Sequence, residues 1–153
     1  MNETQHALET SATHLLDLVQ NLEPAELTRQ AYPTKWTIAD VLSHVGSGAV
    51  IMRRRIEAEV DHEAVPDGFN QSAWDEWNAK DSPAKAAHAM VADRQLLDLV
   101  AALTDEQRSE STLQDEATAL VIDNLEVIGR FGGKPDGTET SKVESLRKVF
   151  RGI

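Results

Sequence analysis

The residue best placed to do chemistry is His44, within the stretch Trp36-Thr37-Ile38-Ala39-Asp40-Val41-Leu42-Ser43-His44-Val45-Gly46. A neutral imidazole can ligate a divalent metal or carry a proton near neutral pH. At 100° per residue His44 falls on the flank of an apolar stripe, between Gly48 one turn later and Ile51 two turns later. Two readings stand there: a histidine hydrogen-bonded at a helix–helix boundary, and a metal or catalytic ligand. Position alone favours the first. Gly48, without a side chain, is expected to let another backbone or a ligand approach His44 closely. Trp36 either staples the entry of the helix or lines a pocket, with the staple as the first expectation. His88 is placed at the edge of a later stripe and His62 in an acidic loop, both as surface residues. Arg53-Arg54-Arg55 spreads around the helix rather than facing one ligand, so pairing with Glu57, Glu59 or solvent is expected. The chain has no cysteine, which rules out disulfides, thiolate zinc sites and a cysteine nucleophile within it.

The elements that must position these groups are helices. Thr37 and Asp40 form a capping-box pattern, and Ile38, Val41, Leu42, Val45, Ala49, Met52 and Ile56 then recur at three- and four-residue steps, predicting a helix from Thr37 to about Val60. Ahead of it, positions 4–22 repeat leucine, valine and alanine at helical spacing, and Pro24-Ala25-Glu26-Leu27 reads as a short helical turn. After an acidic loop, Phe69, Ala73 and Trp77 predict a short amphipathic helix with Trp74 on another face. Ser82 as cap and Pro83 behind it open a long helix whose apolar face is expected to hold Ala87, Met90, Val91, Leu97, Val100, Ala101 and Leu103. A further helix is expected over 113–131, stopped by Gly132-Gly133, and a short basic amphipathic helix after Ser141. No alternating strand pattern occurs, so the fold class is all-α, with a bundle over 1–137 and a C-terminal amphipathic helix or tail over 138–153.

At 153 residues the chain is long enough for one core without covalent help. Fifteen Lys and Arg against twenty-six Asp and Glu give a formal charge of −11, which repels phosphate backbones and anionic membranes. Neither nucleic acid nor a membrane is an expected partner. No apolar run reaches the roughly eighteen residues of a membrane span, and the acidic start lacks the pattern of a signal peptide. A cytoplasmic protein is expected.

On Trp36 to Gly46, on Phe69-Asn70 and on the helix beyond Ser82, the sequence resembles the DinB-like superfamily, specifically the mycothiol-dependent maleylpyruvate isomerase-like proteins of actinobacteria. The resemblance covers roughly the first 110 residues, and its most specific part is the tryptophan, helix cap and histidine of 36–44. It implies an up-down-down-up four-helix bundle, with His44 as one ligand of a divalent metal, usually zinc. The implied chemistry is thiol-dependent isomerisation or S-transfer, the metal lowering the pKa of a bound thiol. The family completes that site on a later helix, with an acid or histidine followed four residues on by a histidine. Here no histidine follows His88, and the matching pair is Glu126 and Arg130. Arginine does not serve as a zinc ligand. The stretch 113–137 also resembles the segment after the ligand-bearing helix, as though that helix were missing between Arg108 and Leu113.

Two functions are therefore expected to compete. The first is a degenerate member that lost a complete metal site and serves as a small-molecule-binding or regulatory bundle, with no firm cofactor. The second is a metal- and mycothiol-dependent isomerase or S-transferase for a small electrophile, with His44 as a metal ligand and Glu126 or Asp123 as a further one, or with His88 or His62 supplied by a second chain. A missing helix would leave an apolar face for a second copy, which makes a homodimer the expected assembly.

Overall fold

The structure is a computed structural model that describes residues 3–31 and 36–109. Its order is α1 (Glu3–Gln20), a 3-10 turn (Pro24–Thr28), α2 (Ile38–Val60), α3 (Phe69–Asn78), α4 (Ser82–Ala102) and α5 (Asp105–Ser109). Among the described residues the only bridge between extended segments is an isolated antiparallel pair, Gln30 with Thr37. The all-α expectation holds. The helices and the basic segment expected after residue 110 lie outside the described residues, as do Asp123, Glu126 and Arg130.

Helix α2 starts where the capping box places it. The Asp40 N–H donates to the Thr37 hydroxyl at 3.1 Å, and the Thr37 N–H donates to the Asp40 carboxylate at 3.0 Å. Each bond satisfies a backbone or side-chain group that the first helical turn would otherwise leave open. The bridge between Gln30 and Thr37 is pinned as well, the Ala31 N–H donating to the Trp36 carbonyl at 2.8 Å and the Ile38 N–H to the Arg29 carbonyl at 2.9 Å. The entry of α2 is thus tied to the end of the 3-10 turn, whose Leu27 is buried.

Helix α4 is the middle of the arrangement: it packs along α2 on one side and against α1 on the other, while α3 lies on α2. The core is filled by Leu8 and Leu15 of α1, Ile38, Val41, Leu42, Val45, Ala49 and Ile56 of α2, Trp77 of α3, and Ala89, Leu96, Leu97 and Val100 of α4. A fully buried leucine or isoleucine contributes about 1.5–3 kcal/mol, so these side chains carry most of the cohesion. Met52, which recurs at the same three- and four-residue steps as these α2 residues, is only partly buried and packs against the edge of the core.

The face that α4 buries is the expected one only in part: Leu97, Val100 and Leu103 are buried and Met90 partly so. Ala87, Val91 and Ala101 are exposed, Val91 by 56%, and the buried side is Lys85, Ala86, Ala89, Ala92, Asp93, Leu96, Leu97 and Val100. Alanines recur all round this helix, so the apolar pattern gives it little directional preference. Its rotation is set by what it packs on, including a buried lysine that finds an acid on α2. The cap also moves by one residue: Asp81, not Ser82, accepts from the Ala84 N–H at 2.8 Å, and Ser82 and Pro83 are the first two helical positions. Aspartate and serine are near-equal caps, and the proline fits either first-turn register.

Candidate functional site

Two consecutive contacts seat α3 on α2. Gly46 faces the buried Trp77 ring, and a Cβ built on that glycine would overlap the ring carbons. One turn earlier the Ser43 hydroxyl donates to the Asn78 carbonyl oxygen at 3.1 Å. Gly48, by contrast, has open space where a Cβ would stand. The glycine that permits close approach is therefore Gly46, and what it admits is the α3 tryptophan. Trp77 is further flanked by Lys80, whose ammonium lies 4.9 Å from the ring centroid, and by His88, edge-on at 6.5 Å. His88 is exposed, as expected, and so is His62.

Seating α3 in this way creates a pocket of about 420 Å³ between the start of α2 and the outer face of α3. Trp36 precedes the cap; Asp40, His44 and Ser47 follow on one side of α2; Gln71, Trp74 and Asn78 face them from α3. The spacings are helical on both sides, 40/44/47 and 71/74/78, each marking one face. His44 is exposed to this pocket rather than closed within a helix–helix boundary, and its ring lies 5.6 Å from the Trp36 ring, tilted by 55°. Among the described residues no group hydrogen-bonds its ring nitrogens. Trp36 is 45% exposed and Trp74 43% exposed, so the pocket-lining reading of Trp36 is the one the structure gives.

The electrostatics centre on Asp40. Burial raises its pKa, but the Thr37 backbone N–H and hydroxyl and the Lys85 ammonium outweigh it and hold the carboxyl below its ordinary 3.8. Lys85 reaches Asp40 at 3.3 Å, its side chain 11% exposed and the carboxylate 44% exposed. The acid is thus ionised, open to the pocket, and braced from behind by a cation on α4. Elsewhere the Ser47 hydroxyl donates to the His44 carbonyl at 3.2 Å and the Gln71 amide donates to Asp75 at 2.8 Å.

The sequence singled out Trp36 and His44 and treated Asp40 only as a cap. Ser47, Gln71, Trp74, Asn78 and Lys85 were not recognised, although the 71/74/78 spacing was available as a signal of a second, polar–aromatic face on α3. Of the basic run, Arg53 pairs with Glu57 at 3.1 Å as expected, while Arg54 pairs at 3.7 Å with Glu63 of the following loop, an acid outside the expected pair.

The family model of the mycothiol maleylpyruvate isomerase N-terminal domain matches residues 8–123. The chain belongs to this family. The match runs past the roughly 110 residues that the motifs themselves carry. No curated protein and no solved structure matches the chain. A catalytic zinc in such a bundle needs about three protein ligands and an open position. Among the described residues no three His, Cys, Asp or Glu come together. Asp40 shares the face of His44, so the described residues bring together two candidate ligands rather than three and do not fit that centre. Among the described residues no helix is long and apolar enough to cross a membrane.

Proposed function

We propose that this member of the maleylpyruvate isomerase-type bundles is a small-molecule-binding or regulatory protein whose metal site is incomplete. One observation carries the reading: among the described residues His44 has one carboxylate, Asp40, on its face and no third metal-ligating group beside them. One imidazole and one carboxylate give little chelate advantage, and zinc held by them and waters binds far more weakly than at a closed site. What remains is a pocket of a volume that suits a small molecule, walled by two half-exposed indoles.

The second reading is a metal- and mycothiol-dependent isomerase or S-transferase acting on a small electrophile. Family membership and the place of His44 in the pocket support it, and Glu126 or Asp123 would have to complete the ligand set. Elemental analysis separates the two. Protein purified without added metal is expected to carry clearly less than one zinc per chain, and His44→Ala to leave the melting temperature unchanged with or without zinc. One tightly held zinc per chain, lost in His44→Ala, would overturn the proposal and put the enzyme first.

A further inference from the structure

The hydrogen bonds within the pocket wall decide which ligand chemistry it still has to offer. Gln71 spends one of its two amide N–H groups on Asp75, because a carboxylate can only accept, and keeps its carbonyl oxygen as an acceptor for the pocket. Ser47 spends its hydroxyl proton on the His44 carbonyl and keeps an oxygen that accepts. Asp40 is a half-exposed carboxylate with acceptor capacity beyond its bonds to Thr37 and Lys85. No lysine or arginine is among the side chains that line the space, and the cation behind Asp40 is nine-tenths buried. Asn78, whose carbonyl accepts from Ser43, offers neutral amide N–H groups and no charge. The walls are the indoles of Trp36 and Trp74.

Acceptors, an ionised carboxylate and electron-rich ring faces select positive charge. An anion entering the same space would meet Asp40 with no guanidinium or ammonium lining to offset it. The formal charge of −11 on the whole chain adds a field of the same sign. We propose that the pocket takes a small organic ammonium ion, its cationic end against Trp36 and Trp74 and its N–H groups donating to Asp40, Gln71 and Ser47. This rests on the small-molecule reading above and names the ligand class for that site.

The test titrates the full 153-residue protein at pH 7 with three probes of one shape: benzylamine, which is then a cation, benzyl alcohol, which is neutral, and benzoate, an anion. Tryptophan fluorescence and calorimetry give the dissociation constants. The ammonium is expected to bind about tenfold or more tighter than either isostere, and more weakly as salt is raised. Trp74→Ala is expected to weaken it by about two- to thirtyfold, the range of a cation–ring contact. Gln71→Lys, which sets a positive charge in place of an acceptor at an exposed position, is expected to weaken it at least as much; circular dichroism confirms that both variants fold. Tighter binding of benzoate or benzyl alcohol, abolished by Trp74→Ala, would overturn the ammonium class while leaving a small-molecule pocket in place. Ammonium binding indifferent to both substitutions would overturn the site, and heat or fluorescence change with none of the three probes would overturn the proposed class. Zinc content, measured separately, bears on the metal reading alone.

Discussion

Gly46 and Gly48 lie two positions apart on α2 and do opposite things. Trp77 occupies the space beside Gly46, so a methyl group there must displace a buried ring, and overpacking of this kind costs about 1–3 kcal/mol. Nothing stands where a Gly48 side chain would be, and a glycine inside a helix is about 1 kcal/mol worse than alanine. Urea denaturation is expected to show Gly46→Ala destabilised by that margin and Gly48→Ala as stable as the parent or more so. Equal effects of the two substitutions would mean that α3 does not seat on Gly46. The same pair bears on the pocket, since Trp77 holds α3, and α3 carries Gln71, Trp74 and Asn78 opposite His44.

Helices α2 and α4 each begin at an oxygen-bearing cap, but the signals differ in sharpness. Thr37 has its partner Asp40 three residues on, and the reciprocal pair leaves one register for the start of α2. Asp81-Ser82-Pro83 offers two adjacent caps and a proline tolerated in either first-turn position, so only the folded helix chooses between them. It chooses Asp81, whose carboxylate also sits favourably at the positive end of the helix dipole. Asp81→Ala is therefore expected to cost about 0.5–2 kcal/mol in chemical denaturation, and Ser82→Ala little or nothing. The reverse order would move the start of α4 by one residue and with it the register of its buried face.

Across the whole molecule, α4 is fastened to both neighbours by carboxylates that the fold keeps ionised. Arg94 grips Glu9 of α1 at 2.7 Å, and Lys85 reaches Asp40 of α2 at 3.3 Å. The Arg94 hydrogen bond, against the opposing effect of burial, lowers the pKa of Glu9 from its ordinary 4.5, and Asp40 is lowered from 3.8. A group depressed in the folded state stabilises the fold above its unfolded pKa and loses that contribution as pH falls through its folded value. Melting temperature is thus expected to hold above about pH 5 and to fall on acidification through and below pH 4. Asp40→Asn and Glu9→Gln should each flatten that fall. Both carboxylates are partly exposed, so the effect of each is modest and diminishes with added salt. A melting temperature independent of pH over this range in the parent would show that neither tie holds α4.

Local chemistry in the sequence determined helices α1 to α4, the start of α2 and the candidacy of Trp36 and His44, because capping and the 3.6-residue repeat act between near neighbours in the chain. It also determined the inward face of α3, where Ala73 and Trp77 are buried and Phe69 is partly buried. Only tertiary structure decided that Asp40, read locally as a cap, pairs with Lys85 forty-five residues away and faces a pocket. It likewise decided which side of alanine-rich α4 is buried, because alanines around the whole helix leave rotation to the shape and charge of α2. The site came together from residues 36–47 and 71–78 for the same reason. Its geometry depends on one helix settling against another at Gly46, and no repeat or spacing within either helix encodes that distance.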